Sequence, residues 1–250
     1  TGDDNTFIGY AAGDATTTST DNVAVGHDAL TTNTTGGDNV AVGANALMSA
    51  TDADGNTACG YQALKTNSTG HSNIAVGKNS LKLNTTGLYN VAIGNDALST
   101  NVDGDGLTAI GFEALKTFEP SDGLRYTVAV GYQAGKACTS GGENVFVGGL
   151  AATAVTDGNS NVAIGYKALT TNQRGDRNVA IGYEALKVAN PSGDADTNNI
   201  AIGYQAGLSC TTGGDNVYIG STTGDASDDG SQNTAVGVAA LGANCGSQNS

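Results

Sequence analysis

A single short string recurs along this chain: Asn-Val-Ala-Val/Ile-Gly. Its glycine falls at Gly9, Gly26, Gly43, Gly60, Gly77, Gly94, Gly111, Gly131, Gly148, Gly165, Gly182, Gly203, Gly220 and Gly237, which makes fourteen units. The step is 17 residues except from Gly111 to Gly131 (20) and from Gly182 to Gly203 (21). A helical repeat needs ~33 residues or more, so this period is too short for one. A β-strand rises ~3.3 Å per residue and neighbouring strands lie ~4.8 Å apart, so 17 residues fit one turn of a flattened coil. The reading is all-β: a parallel β-roll solenoid of about fourteen 17-residue coils with two strands per turn. It forms a single repetitive domain over residues 1–250, and fourteen coils would stack to roughly 65 Å.

Each column of the repeat carries its own chemistry. The residues three and one before the Gly are β-branched almost throughout, as in Val23 and Val25 or Val162 and Ile164, with Cys59 an exception. Two residues apart on a strand, they share a face, and they are expected to fill the inside. Ala lies between them in most units, replaced by Phe7, Phe146 and Tyr218. On this reading Ala24, Ala41, Ala58, Ala75, Ala92, Ala163, Ala180 and Ala201 point outward as a strip for close packing against another chain. A second segment follows, such as Tyr61-Gln62-Ala63-Leu64, and then a polar corner such as Thr31 to Gly36. A second Gly seven residues before the first, as at Gly36 and Gly70, suits a left-handed corner. Asn lies four before the main Gly in twelve units: Asn5, Asn22, Asn39, Asn56, Asn73, Asn90, Asn144, Asn161, Asn178, Asn199, Asn216 and Asn233. Stacked at one corner, these amides can form a structural hydrogen-bonded ladder. Leu107 and Thr127 depart from it and flank the first long insertion.

The unit, seen in Asn39-Val40-Ala41-Val42-Gly43, Asn161-Val162-Ala163-Ile164-Gly165 and Asn178-Val179-Ala180-Ile181-Gly182, resembles the head repeats of trimeric autotransporter adhesins. It resembles more closely the repeat arrays of phage tail-fibre-like proteins. The resemblance covers essentially the whole chain. It implies a left-handed parallel β-roll, assembled as a homotrimer, that serves attachment to cells.

Composition narrows the function classes. Ten Lys and Arg against 24 Asp and Glu give a net charge of −14, which repels phosphate backbones and argues against nucleic-acid binding. No apolar run approaches the ~20 residues of a membrane span, so no membrane insertion is expected. The chain begins Thr1-Gly2-Asp3 and reads as a processed or excised segment. The 38 glycines raise the question of disorder, which the regular apolar columns answer.

No catalytic constellation emerges, and the chain is read as a non-enzyme with no cofactor. His27 and His71 fall in different columns and read as solvated. Cys138 and Cys210 share a column but lie four coils apart, ~19 Å by strand spacing, and Cys210 and Cys245 two coils apart. A disulfide needs Cα atoms within ~7 Å, so no intrachain disulfide is expected. Cys59 reads as a small core residue. Calcium would find oxygen ligands in corners such as 52–56, 103–106 and 225–230, but solvated charge is the preferred reading. Arg174-Gly175-Asp176 spells an integrin-binding tripeptide in an ordinary corner. Asn33, Asn67 and Asn84 sit in glycosylation sequons that the Thr-rich repeat generates.

The expected function is a structural and adhesive fibre segment, extracellular, on a cell surface or virion, with a glycan or protein receptor. Repetition would raise avidity without new contacts. The alternative is an ice- or crystal-surface binder, disfavoured because the Thr residues cluster in irregular corners. A polysaccharide-acting enzyme ranks below both, since no carboxylate or basic cluster is found.

Overall fold

The computed structural model describes residues 2–119, 125–190, 195–226, 229–242 and 246–249. Pro120, Pro191, most of the two insertions, Cys245 and the Ser227-Asp228 part of one acidic corner lie outside the described residues. The chain divides into two compact units, Thr1–Tyr126 and Thr127–Ser250, and both are β-solenoids.

In the first unit β1 (Thr6–Ile8), β2 (Val23–Val25), β3 (Val40–Val42), β4 (Thr57–Cys59), β5 (Ile74–Val76), β6 (Val91–Ile93) and β7 (Thr108–Ile110) pair in parallel, each with the next in sequence order. The register puts equivalent repeat positions opposite one another, as Val40↔Thr57, Ala41↔Ala58 and Val42↔Cys59. The second unit repeats the arrangement with β8 (Val128–Val130), β9 (Val145–Val147), β10 (Val162–Ile164), β12 (Val179–Ile181), β14 (Ile200–Ile202), β15 (Val217–Ile219) and β16 (Thr234–Val236). A two-residue pair, β11 (Gly175–Asp176) with β13 (Ala195–Asp196), adds a small sheet beside the second insertion.

Each coil carries one strand in the main sheet, not two. The segment after the Gly is a run of turns, because consecutive side chains there must both face the lumen. Ala63 and Leu64 are both fully buried, and a strand of period two would send one of them outward. The backbone solves this by placing alternate residues in the left-handed region, Gln62 at φ 59° and Leu64 at φ 49°. Their N–H groups donate in opposite directions, Gln62 to Ala44 O and Leu64 to Ser80 O, each at 3.0 Å. A left-handed Leu costs about 1–2 kcal/mol. Full burial of its side chain contributes about 1.5–3 kcal/mol, so the turn persists.

The strand faces are the reverse of the sequence expectation. Ala24, Ala41, Ala58, Ala75, Ala92, Ala163, Ala180 and Ala201 are all fully buried, so they line the lumen and form no outward strip. The flanking Val and Ile side chains point out: Ile74 is 42% exposed and Ile164 37%. The reason is volume. The opposite wall fills the lumen with Ala and Leu, and only a methyl fits against them. Cys59, on the outward column, is exposed rather than a core residue.

The strand-ending Gly is required by geometry. At Gly60 (φ +142°) an added Cβ would stand 2.5 Å from the carbonyl oxygen of Gly77 in the next coil. The second Gly column has a different cause from the one expected. At Gly70 no left-handed φ is needed, but a Cβ would meet Asn67 Oδ1 at 2.4 Å and Gly87 O at 2.5 Å. The left-handed corner residue is the one before the ladder Asn, such as Asp21 (φ 60°) and Asp38 (φ 59°).

Candidate functional site

The Asn column is a continuous hydrogen-bonded ladder within each unit. Asn39 N and Nδ2 both donate to Asn22 Oδ1, at 3.0 and 3.1 Å, and Nδ2 also donates to Ala53 O at 2.7 Å. Asn56 and Asn73 repeat the pattern, each on the Asn before it. Asn90 N donates to Asn73 Oδ1 and Leu107 N to Asn90 Oδ1, and Leu107 has no side-chain acceptor to pass on. In the second unit Thr127 Oγ1 stands in for an amide, accepting from Asn144 N at 3.4 Å. Asn161, Asn178, Asn199, Asn216 and Asn233 follow. Asn249, 16 residues on and missed because it breaks the period, donates to Asn233 Oδ1 at 2.9 Å. Every described rung from Asn22 to Asn233 is buried, so the ladder is internal scaffolding and cannot be a contact surface.

A second interior amide row was hidden in the sequons. Asn33, Asn67 and Asn84 are fully buried, as are Asn101 and Asn172. Asn84 Nδ2 donates to Asn67 Oδ1 at 2.8 Å and Asn101 Nδ2 to Asn84 Oδ1 at 3.0 Å. The folded chain therefore has no room for a glycan at these positions.

The other candidates are absorbed by the scaffold. Asp176 of the Arg174-Gly175-Asp176 tripeptide accepts from Asn159 N at 2.6 Å, Gly175 is buried in β11, and Arg174 lies 3.7 Å from Asp157. Acidic corner residues bind backbone amides of a neighbouring coil: Asp54 takes Gly37 N at 2.7 Å and Asp105 takes Leu88 N at 2.6 Å. Among the described residues no group of three or more His, Cys, Asp and Glu side chains could hold a metal ion. His27 is exposed, stacked on Tyr10 at 5.1 Å and 3.0 Å from Asp28, while His71 sits half-buried at a corner. Cys138 and Cys210 are buried, each with its Sγ donating to a corner carbonyl, Gly141 O at 3.5 Å and Gly213 O at 3.6 Å.

What remains at the surface is apolar and aromatic. In each unit the outward Val and Ile columns run across seven strands. Beside them, one residue after the repeat Gly, stands an aromatic column that column chemistry alone did not single out. Tyr166, Tyr183 and Tyr204 stack in succession, with centroids 5.5 and 5.3 Å apart and planes 26° and 10° apart. Next to them Glu184 pairs with Lys187 at 2.8 Å and accepts from Gln205 at 3.0 Å. These donors hold the Glu184 carboxyl below its ordinary value, the Lys187 bond first, and the same bond raises Lys187. Glu113 and Lys116 form the same pair at 2.6 Å in the first unit.

A scan of the chain against protein-family models finds no match, and neither does a search of curated proteins.

Proposed function

We propose that this chain is a homotrimeric fibre segment, extracellular or on a virion, that holds an attachment surface. The observation that carries the reading is the outward Val/Ile face. Parallel sheets are normally covered on both sides, and here only the lumen side is covered within the chain. Val40, Val42, Ile74, Val76 and Ile93 in the first unit, and Ile164, Ile200, Ile202 and Ile219 in the second, are each 36–42% exposed. A patch of that extent marks an association surface. A second copy of this chain presents the same columns at the same strand spacing, so contact would repeat coil by coil. The resemblance of the repeat to trimeric adhesin heads and tail-fibre arrays supplies the number three.

Cys59 lies within that face on β4 and gives a direct test. In the trimer, equivalent Cys59 thiols sit at one level, so mild oxidation of the native protein should link two chains through Cys59 and leave the third thiol free. A solution mass of three chains is expected, and a mass of one or two chains overturns the reading.

The same face favours a second reading, as a crystal-surface binder. Two columns of β-branched side chains at a fixed strand spacing form a regular flat array, which the corner Thr residues do not. Thermal hysteresis by a monomeric chain would establish this alternative.

A further inference from the structure

In the second unit the position after the repeat Gly reads, in chain order, Tyr132, Gly149, Tyr166, Tyr183, Tyr204, Ser221 and Val238, so its run of tyrosines is broken internally at Gly149. Tyr132 and Tyr166 are 54% and 44% exposed. Two coils separate them, ~10 Å along the pairing direction, and the rung between them has no side chain.

The backbone does not require glycine there. Gly149 has no left-handed φ, and an added Cβ would meet only Tyr166, at 3.6 and 4.0 Å, ordinary contact distances. A ring could occupy the rung, as it does at Tyr183. The row of side chains therefore lacks one rung, a notch with Gly149 as its floor, the Tyr166 ring against it on one side and Tyr132 on the rung beyond.

We propose that this notch binds one pyranose ring of a glycan. Each rung offers ~4.8 Å, whereas carbon atoms in contact need only ~3.5–4.0 Å. A flat arene underfills that height, and the tyrosines of the ladder meet only by offset, with centroids 5.3–5.5 Å apart. A puckered pyranose is thicker and fills the rung, with its axial C–H groups against the electron-rich ring faces. The Lys167 ammonium stands 5.2 Å from the Tyr166 centroid and offers donors to sugar hydroxyls. The strong negative charge of the chain opposes a nucleobase carried on phosphate as the occupant. The proposal rests on the attachment reading for its biological setting, but the notch exists in a single chain.

The test uses the full chain and a panel of methyl hexopyranosides and their oligomers, read by saturation-transfer NMR. Transfer to the ring C–H protons of at least one sugar is expected. Tyr166→Ala removes a wall and should weaken that sugar about tenfold. Gly149→Tyr fills the rung with a residue the column already uses, should keep the fold, and should abolish the signal. Tyr10→Ala, in the other unit, should change nothing. No transfer to any sugar, transfer unchanged in Gly149→Tyr, or tighter binding of N-acetyl-tyrosine amide than of every sugar overturns the proposal. Failure of the fibre reading is seen separately, in the solution mass.

Discussion

Gly224 stands against the ring of Tyr218: a Cβ added to it would lie 2.5 Å from the ring carbons Cδ1 and Cε1. Tyr218 occupies the inward strand column that Ala fills in eleven of the fourteen units, and Gly224 the lumen column that Leu fills in nine. The pair exchanges volume across the lumen, and Phe7 with Gly13, at 2.6 Å, does the same. Gly224→Leu should destabilise the second unit by about 1–3 kcal/mol through overpacking. Tyr218→Ala should cost about 3–5 kcal/mol by analogy with other aromatic truncations. The double variant recreates the Ala180 and Leu186 pairing and should recover much of the loss. Additive losses in a denaturant-melt double-mutant cycle would show that the two positions do not share the space.

Asn161 is a middle rung, donating to Gly175 O at 2.9 Å and accepting from Asn178 N at 2.9 Å and Asn178 Nδ2 at 3.0 Å. Asn161→Ala leaves buried partners unsatisfied, at about 1–3 kcal/mol each. Asn161→Asp should be worse at neutral pH, because an ionised carboxylate would face the Gly175 carbonyl in a buried site. Burial raises such a carboxyl, so its deficit relative to the parent should shrink as acid protonates it. A deficit in Asn161→Asp that is constant from pH 7 to pH 4 would contradict the ladder account.

Ile74→Lys places a charge on the outward face without touching the lumen. An exposed site tolerates such a change within about 0.5 kcal/mol, so the far-ultraviolet circular dichroism should be preserved. If the face joins copies of the chain, the same change should shift the solution mass toward one chain. Analytical ultracentrifugation reads both species, and an unchanged assembly would move the interface elsewhere.

Glu184 gives a pH dependence with a defined sign. Its carboxyl is held below the ordinary value near 4.5 by Lys187 first and Gln205 second. The stabilisation is therefore fully present above pH 4.5 and is lost as the pH falls through the lowered folded value. Glu184→Gln should reduce the melting temperature slightly at pH 7, and the difference should close in acid. A gap that widens below pH 4 would reverse the assigned sign.

The period, the parallel register and the Asn ladder were legible in the sequence because each is a one-dimensional property. Equivalent positions 17 apart must stack, so Asn22 and Asn39 had to meet. The orientation of the strand left only a partial trace in the sequence. Where the inward column carries an aromatic, as at Phe7, Phe146 and Tyr218, the residue six later is Gly13, Ala152 or Gly224 instead of Leu. That compensation agrees with the Ala column on the lumen side, but Gly135 and Gly207 replace Leu in coils whose inward residue is Ala, so the columns alone do not fix the face. Hydrophobicity alone pointed the other way, because a parallel sheet is apolar on both faces. The buried sequon amides could not be read from composition, since they depend on which residues the turns after the repeat Gly direct inward.

By itself, then, the repeat determined the solenoid, its strand spacing and the amides that tie coil to coil. Only the tertiary structure decided which face of each strand is inside, because that depends on the volume left by the opposite wall. Ala63 and Leu64 entering the lumen together leave space for the methyl of Ala58 and turn Thr57 and Cys59 outward. The bulky Val/Ile column is thus the outward face, set there by the packing of the smaller residues behind it, and it is the face we propose for association.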